Sequence, residues 1–297
     1  MKRAIVTGAN GGIGFHTASR LAQNGIAVTL ACRDQNRGDD ALKRIMQRYP
    51  DAKVDVSILN LASLKSVREF SERYKASHES LDILVNNAAV MAVPERKVTE
   101  DGNELQFATN HLGHFALSAN LLDLLAKGES ARVVTVSSIA HKYGKLDFND
   151  LQNENSYEGW AVYGMTKLCN LLFTLELDRK LKSKGIPIVA AASHPGVSKT
   201  NILSSGPVMG KKVLRTYLSE IFAQQFAQTD EQGSLPVIHA ATNPSVKGGE
   251  YFGPDGIFEL RGKPTRVTPT TRAQDENTAR QLWSASEKLT GTNFLSN

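Results

Sequence analysis

Two tyrosine–lysine pairs in the sequence share a spacing that can build a proton-transfer centre. They are Tyr49 and Lys53 in "YPDAK", and Tyr163 and Lys167 in "YGMTK". Residues four apart lie on one face of an α-helix, so a phenol and an ammonium group can meet there. Tyrosine titrates near 10, and acid–base work at pH 7 needs a shift of about three units, or ~4 kcal/mol. A lysine held close in a partly dry site can contribute to that shift.

The first pair does not lie on a helix. Pro50 disfavours a helical conformation for Tyr49, and Lys53 begins the strand-like run "KVDVSILN". Side chains four residues apart on a strand are separated by ~13 Å. The spacing of this pair is therefore a coincidence.

The second pair lies within a long helical pattern that stops at Gly185. Gly164, which follows Tyr163, costs this helix roughly 1 kcal/mol relative to alanine. It also leaves room for a ligand beside the tyrosine. We therefore predict that Tyr163 and Lys167 form the reactive pair.

A glycine-rich loop, "TGANGGIG", follows the first strand-like run and opens a helical pattern. Gly8, Gly12 and Gly14 allow a tight turn, a close approach to a pyrophosphate, and packing of the helix on the strand. The helix N-terminus offers N–H groups and a partial positive charge to phosphates. The loop predicts a dinucleotide site; the alternative is a tight turn without a ligand.

The residues after the second strand predict which dinucleotide binds. An acidic residue at this place hydrogen-bonds the free 2′-hydroxyl of NAD. Here the strand "AVTLAC" ends at Cys32 and Arg33 follows. A guanidinium can clamp a 2′-phosphate, so we predict NADP rather than NAD. The alternative is that Arg33 is a solvated loop charge.

These residues must be positioned by alternating strands and helices. Short apolar, β-branched runs alternate with helical patterns, which predicts an α/β fold. We expect one Rossmann-fold domain over residues 1–297, with a doubly wound parallel sheet and helices on both of its faces. Residues 140–157 are polar and indicate a loop. Residues 201–228 have helical spacing and form either a surface helix or a substrate-loop lid. A C-terminal helix is expected at about 273–290.

Composition excludes several other classes of function. The net charge is +5, but the basic residues are spread along the chain, so we expect no nucleic-acid partner. The two cysteines have no metal-ligand partner nearby, and the chain shows no signal-peptide pattern, which favours a cytoplasmic protein. No apolar run reaches ~18 residues, so no transmembrane segment is expected. The histidines lack metal-ligand spacing, so no metal site is predicted; they are His111, His114, His141 and His194.

The motifs together resemble the short-chain dehydrogenase/reductase family, from about Lys2 to Gly253. They are the glycine loop, "NNAAV" from Asn86, "TNHLGHF" around Asn110, "VSS" ending at Ser138, "YGMTK" and "HPGVSKT" from His194. Within the family, "ACRD", "VSSIAH" and "KLCNLLFTLEL" are most similar to the retinol dehydrogenase and protochlorophyllide reductase-like branch.

The resemblance implies a role for each of four catalytic residues. Tyr163 is the general acid that protonates a carbonyl oxygen, or the base in reverse; Lys167 holds the nicotinamide ribose and lowers the tyrosine pKa. Ser138 hydrogen-bonds the substrate oxygen, and the backbone carbonyl of Asn110 holds a water in the proton path. Residue chemistry alone does not separate Ser137 from Ser138, and the resemblance favours Ser138.

The resemblance also implies the cofactor contacts. Asn60 replaces the aspartate that many relatives use to accept from the adenine amino group, and its side-chain oxygen can still accept. Trp160 and Tyr157, just before the reactive tyrosine, are interpreted as packing residues; the alternative is that they form walls of the pocket. The predicted cofactor residues are Gly8, Asn10, Gly12, Ile13, Gly14, Arg33, Asn60, Leu61, Asn87, Ala88, Ala89, Tyr163, Lys167, Pro195, Gly196, Val197 and Thr200.

The expected function is an NADP(H)-dependent oxidoreductase that interconverts an alcohol and a carbonyl on a fairly apolar small molecule, with Ser138 and Tyr163 contacting the substrate. Three alternatives stay open: reduction of a carbon–carbon double bond, epimerisation, and an NADP-sensing regulatory protein without turnover. The resemblance allows a monomer or a homodimer.

Overall fold

The apolar, β-branched runs of the sequence form one sheet in the computed structural model, which describes residues 1–197 and 228–295. The eight strands lie in the order β3-β2-β1-β4-β5-β6-β7-β8, and all neighbours are parallel except β7 and β8. The strands are β1 Arg3–Thr7, β2 Ala27–Cys32, β3 Val54–Ile58, β4 Ile83–Asn86, β5 Arg132–Val136, β6 Val189–Ser193, β7 Tyr251–Pro254 and β8 Pro264–Arg266.

The central strands are buried along their whole length, because helices cover both faces of the sheet. Every residue of β4 and β5 is buried. The strand order reverses at β1, which pairs with β2 on one side and β4 on the other. A doubly wound sheet has its ligand crevice outside the carboxyl ends of the strands at such a reversal.

Helices form a layer on each face of the sheet. The helices are α1 Gly12–Gln23, α2 Gln35–Arg48, α3 Leu64–Ser77, α4 Leu105–Phe107, α5 Gly113–Asn120, α6 Leu122–Ala126, α7 Gly159–Ser183, α8 Asp230–Thr242 and α9 Glu276–Thr290. One core cluster lies beneath α1, α2 and α8, a second lies beneath α3, α5, α7 and α9, and a third joins α4, α7, β7 and α9. This architecture confirms the predicted doubly wound α/β fold.

The connection between α4 and α5 is a π-helical turn, Ala108–Leu112. The Gly113 N–H donates to the Ala108 carbonyl, five residues back, in place of the usual four. The chain therefore stays helical from α4 into α5, with one wider π-helical turn between them. Such π-helical turns occur frequently at functional sites, and this one contains Asn110.

The N-terminus of α1 differs from those of the other long helices. At the starts of α2, α3, α7, α8 and α9 a side-chain oxygen accepts a backbone N–H bond; the capping residues are Asp34, Ser63, Glu158, Thr229 and Asp275. Helix α1 begins after Gly11 without a side-chain cap and without an acidic residue in its first turn. Its first N–H groups are left for a ligand or water.

The two tyrosine–lysine pairs differ as predicted. Helix α2 ends at Arg48, Tyr49 is its C-cap, and Lys53 precedes β3. Tyr163 and Lys167 lie on α7. Within the described ranges, the helices are too short or too polar to cross a bilayer.

Candidate active site

The glycine loop connects β1 to α1 at the crevice, with Gly8 and Gly12 at φ values of 66° and 55°. These positive values favour glycine at both positions. A Cβ atom on Gly14 would lie 2.4 Å from the Gly8 carbonyl oxygen and 2.5 Å from Asn87 Nδ2. The loop therefore needs glycine at position 14 to close against α1 and the end of β4.

Thr7, the last residue of β1, holds the end of β4 beside the loop. Its Oγ1 accepts N–H bonds from Asn87 at 2.9 Å and Ala88 at 3.0 Å. The Asn87 side chain donates to the Thr7 carbonyl at 2.7 Å. These bonds place the predicted cofactor residues Asn87 and Ala88 next to the glycine loop.

The residues that follow β2 offer a positive charge but no free carboxylate. Cys32 is buried, burial raises its thiol pKa to about 11, and the sulfur accepts backbone N–H bonds from the glycine loop. Arg33 is exposed. The carboxylate of Asp34 is engaged as the α2 cap, where it accepts the Arg37 N–H at 2.9 Å.

Asn60 follows β3 beside the adenosine side of the predicted site. Its Oδ1 accepts the Ala62 N–H at 3.2 Å, and its own N–H donates to Ser66. The neighbouring Leu61 is buried. The side-chain oxygen expected to receive the adenine amino group thus already holds one local hydrogen bond.

Tyr163 and Lys167 are buried together on α7, with 6% and 2% of their surface exposed. Lys167 Nζ lies 5.5 Å from the centre of the Tyr163 ring. It donates to the Val136 carbonyl, at the end of β5, at 3.0 Å. The strand end therefore fixes the ammonium group beside the phenol.

Burial shifts both groups of this pair toward their neutral forms. It raises the pKa of Tyr163 to about 12, and a hydrogen bond with the Ser138 hydroxyl opposes the shift. Burial lowers the pKa of Lys167 to about 7. At neutral pH the phenol therefore keeps its proton, while the lysine can gain or lose one.

The two serines after β5 have different partners. Ser137 Oγ donates to the Lys167 carbonyl at 2.8 Å, which ties β5 to α7. The Ser138 hydroxyl bonds Tyr163 and accepts the Ala140 N–H at 3.2 Å. The geometry separates the two residues where sequence chemistry does not, and it brings Ser138 to the phenol.

Asn110 lies in the π-helical turn with its side chain engaged. Its Oδ1 accepts the Val90 N–H at 2.8 Å, and its Nδ2 donates to the Val90 carbonyl at 2.9 Å. Nδ2 also donates to Thr166 on α7 at 3.0 Å. These bonds fix the side chain, so only the main-chain carbonyl of Asn110 is suited to a further role.

The segment after β6 reverses at Gly196, whose φ is 68°. The Val197 N–H donates to the Leu260 carbonyl at 2.8 Å, and Gln228 Nε2 donates to the Pro195 carbonyl at 2.6 Å. These bonds hold the backbone of residues 195–197 at the carboxyl end of the sheet. Thr200 and residues 201–227 of the predicted lid segment lie outside the described residues.

His194 is buried behind this segment. Its Nδ1 accepts the Gly196 N–H at 3.2 Å, and its Nε2 lies 3.0 Å from the Glu259 carboxylate. Burial lowers the His194 pKa, and the carboxylate opposes that shift. Both of its ring nitrogens therefore lie beside protein groups. In residues 1–197 and 228–295, no group of three metal-ligating side chains converges.

Trp160 contradicts the packing interpretation. Its side chain is 52% exposed, and its ring lies edge-on to Tyr163 with centroids 6.1 Å apart. It is the second residue of α7, after the Glu158 cap and Gly159, and lies in the first turn of the helix. The other residue of that interpretation, Tyr157, is partly buried and donates to the Val93 carbonyl at 2.9 Å.

Sequence reasoning missed several residues around the reactive pair. Tyr251 on β7 is fully buried, with its ring against those of His141 and His194. Glu259 also bonds Lys142, which follows the Ser138 turn, at 3.1 Å. Their contacts are long-range in sequence, so no local spacing indicates them.

The crevice fits a dinucleotide cofactor. The uncapped N-terminus of α1 faces the glycine loop, and side chains larger than glycine would clash at position 14. The residues that would hold the nicotinamide end, Lys167 and 195–197, lie at the carboxyl ends of β5 and β6 of the same sheet.

Comparisons with known proteins agree with this geometry. The family model for short chain dehydrogenases matches residues 2–207. Human WW domain-containing oxidoreductase is 40% identical over 97% of this chain and 68% of its own length. Mouse retinol dehydrogenase 14 is 38% identical over 98% of this chain and 86% of its own length.

A solved structure extends the similarity to the whole fold. The crystal structure of an uncharacterized protein from Mycobacterium paratuberculosis superposes with a TM-score of 0.81 at 37% identity, covering 99% of this chain and 95% of that one. The chain therefore belongs to the short-chain dehydrogenase/reductase family, in its retinol dehydrogenase branch, whose fold implies an NAD(P) cofactor.

Proposed function

We propose that the protein is an NADP(H)-dependent oxidoreductase that interconverts an alcohol and a carbonyl on a fairly apolar small molecule. The observation that carries this proposal is the convergence of the Tyr163 phenol, the Ser138 hydroxyl and the Lys167 ammonium group at the end of β5. When bound, the nicotinamide cofactor supplies or accepts the hydride.

In this proposal Tyr163 is the proton donor during carbonyl reduction. Burial raises the Tyr163 pKa in the cofactor-free protein, opposite to the lowering expected from the sequence, so the phenol is protonated there but is a weak acid. The positive charges of Lys167 and of a bound oxidised nicotinamide would lower that pKa. Ser138, already bonded to the phenol, orients the substrate oxygen beside it. In the same proposal Lys167, whose pKa burial lowers to about 7, passes a proton onward and binds the nicotinamide ribose.

Other predicted residues complete the cofactor site. Asn87 to Ala89 line the adenosine side, residues 195–197 face the carboxamide end, and the Asn110 carbonyl holds a water in the proton path. These roles are supported by hydrogen bonds that fix the backbone in position. The N–H groups of Asn87 and Ala88 donate to Thr7. The Val197 N–H donates to the Leu260 carbonyl, and Gln228 donates to the Pro195 carbonyl.

The preference for NADP rests on the charges after β2. An NAD site needs a free carboxylate there, and the nearby Asp34 carboxylate is used to cap α2. Arg33 is exposed and positive beside the buried Cys32. A guanidinium there offers paired donors to a 2′-phosphate.

Reversing the charge of Arg33 tests the cofactor preference. Arg33→Asp should lower the ratio of NADPH to NADH affinity at least tenfold, because the 2′-phosphate loses a cation and meets an anion. Lys43→Asp makes the same charge change at an exposed position on α2 and should leave the ratio nearly unchanged. Titration of both cofactors with all three proteins decides the assignment; an unmoved ratio in Arg33→Asp contradicts it.

An apolar substrate is supported by Trp160 and by the family. A half-exposed indole 6.1 Å from the Tyr163 ring offers apolar surface at the mouth of the site. The relatives named retinol dehydrogenases act, by their names, on an apolar alcohol.

The first experiment is NADPH consumption against a panel of aldehydes, ketones and enones. Wild type should turn over some carbonyls, and Tyr163→Phe should lose most turnover while it still binds NADPH. Tyr49→Phe is the matched control, since it removes the phenol of the other tyrosine–lysine pair. Turnover that survives in Tyr163→Phe contradicts the mechanism.

The other outcomes of the panel identify the alternatives. Turnover of enones at the carbon–carbon bond, without carbonyl reduction, indicates a double-bond reductase. NADPH binding without turnover of any compound favours a sensing protein.

Two further predictions concern the state of the protein in the cell. A monomer and a homodimer both fit, although α9 packs on α7 and α5 and covers part of both helices. Sedimentation at two concentrations separates them. A cytoplasmic location stays a prediction, which fractionation of expressing cells would test.

A further inference from the structure

His114 connects the glycine-loop strand to the π-helical turn. It lies on α5 and is 1% exposed. Its Nε2 is 2.9 Å from Thr7 Oγ1, and its Nδ1 is 3.1 Å from the Asn110 carbonyl oxygen. One imidazole thus bridges the last residue of β1 and the carbonyl group assigned to the proton path.

The partners of Thr7 determine the tautomer of this histidine. A hydroxyl oxygen has two lone pairs and one proton. Thr7 Oγ1 already accepts the N–H groups of Asn87 and Ala88, so it has no lone pair for a third donor. Its proton must point to the His114 Nε2 at 2.9 Å or to the Val85 carbonyl at 3.3 Å, and the former is shorter. Nε2 is therefore the acceptor.

It follows that the ring proton of neutral His114 is on Nδ1, where it faces the Asn110 carbonyl. The imidazole stays neutral because burial lowers its pKa to about 4, and the Lys167 charge acts in the same direction. His111, one turn earlier, is also buried and has its pKa lowered to about 3. These are the titratable groups facing His114 in the described residues.

We propose that His114 is a positioning residue for the reaction: its Nδ1–H donates to the Asn110 carbonyl and fixes that oxygen toward Lys167. The proposal rests on the proposed function, because it assigns the orientation of a group in that proton path. Val90 and Thr166 already hold the Asn110 side chain, and the His114 bond fixes the orientation of the Asn110 main-chain carbonyl.

The same bridge joins cofactor binding to proton transfer. Thr7 holds Asn87 and Ala88 beside the glycine loop, and through His114 it reaches Asn110. A displacement of the glycine loop would therefore be transmitted to the proton path by two hydrogen bonds.

Replacing His114 by an apolar ring of similar size removes both bonds. His114→Phe should lower kcat about tenfold, a part of the ~10²–10⁴ that general acid–base catalysis supplies, with a smaller change in KM for NADPH. The ratio of kcat in H₂O to kcat in D₂O should rise, because proton transfer becomes slower relative to the other steps. His114→Gln can both donate and accept, and should recover most of kcat.

His111→Phe is the matched control for packing. His111 is equally buried, on the preceding turn, but its ring bonds Ser286 on α9 at 2.8 Å and the Asn170 side chain, rather than Thr7 and the Asn110 carbonyl. Both phenylalanine variants lose one buried imidazole. Equal values of kcat and equal isotope ratios in the two variants would overturn the proposal, as would a His114→Gln protein that is as slow as His114→Phe.

A measurement on the unaltered protein tests the geometry directly. Nitrogen-15 NMR of histidine-labelled wild type should show His114 as the neutral Nδ1–H tautomer at pH 6 to 8. An Nε2–H tautomer, or a charged imidazole at pH 6, overturns the proposal whatever the variants do. If the tautomer is as expected but Tyr163→Phe keeps full turnover, the proposed function fails rather than the geometry of this bridge.

Discussion

The two tyrosine–lysine pairs have the same spacing in sequence but lie in different structural surroundings. Tyr49 caps the end of α2, and Lys53 is exposed before β3. Tyr163 and Lys167 have the same separation in sequence, but they lie within α7 and are almost fully buried. Only the second pair shares a helix face and a low-dielectric environment.

Burial distinguishes the two pairs where spacing does not, because it moves both groups of the second pair away from their ordinary pKa values. An exposed ion pair contributes ~0–1 kcal/mol, too little to change proton affinity substantially. Burial shifts the pKa values of both members of the second pair, and it places Lys167 Nζ on the β5 carbonyl of Val136. The same spacing therefore has chemical meaning only where the sheet and helix enclose it.

The largest expected effect is the difference in turnover between two variants, each of which lacks the lysine of one pair. Lys167→Met should lower kcat by ~10²–10⁴, because the proton path and the ribose contact are both lost. Lys53→Met should leave kcat within about twofold, since that lysine is exposed and its tyrosine ends another helix. Steady-state kinetics with the best carbonyl of the panel measures both.

Similar turnover in the two lysine variants would contradict the proposed difference between the pairs. Equal loss in both would place Lys53 in the site; full activity in Lys167→Met would remove Lys167 from the mechanism. Cofactor titration of each variant separates a loss of binding from a loss of chemistry.

A second change exchanges the residues that follow the tyrosines. Gly164→Pro inserts the "YP" dipeptide into α7, removes a helical hydrogen bond and clashes with the preceding turn, at ~3 kcal/mol or more of unfolding free energy. The ring would also press on the Ala140 carbonyl, which lies 3.0 Å from a Cβ at this position. Pro50→Ala, at the end of α2, should cost about 1 kcal/mol or less. Denaturant unfolding of both variants checks the difference; equal losses would contradict it.

The sequence was sufficient to predict the sheet, the glycine turn and the helix that carries Tyr163 and Lys167, because each has a local signal. Alternating apolar runs and helical patterns mark the strands and helices, and Gly8, Gly12 and Gly14 mark the turn. The choice of Tyr163 over Tyr49 also needs only local features, namely a proline and a strand-like run.

The rest depends on contacts between distant parts of the chain. The partners of Ser137 and Ser138 become distinct only when β5 lies against α7. The bridge from Thr7 through His114 spans 107 residues, and Trp160 is exposed because of where α7 begins. Local periodicity carries no information on such long-range contacts.

The smallest expected effect concerns stability and pH. Burial lowers the pKa of Lys167 from 10.5 to about 7 in the folded protein. The unfolded chain therefore binds more protons than the folded one between pH 7 and 10.5, and this lysine makes the protein more stable as pH rises through that window. Below pH 7 the folded protein carries the full cost of the buried charge.

Lys167→Met removes this cost, so the variant should gain stability relative to wild type, and should gain more at pH 6 than at pH 9. The two differences should be separated by on the order of 2 kcal/mol, from about two pKa units of linkage. Lys53→Met removes an exposed ammonium group and should show no such separation. Urea unfolding of the cofactor-free proteins at the two pH values provides the test. A gain that is the same at both pH values would mean that Lys167 finds a compensating charge in the folded state, and the distinction between the two pairs would then rest on the helix alone.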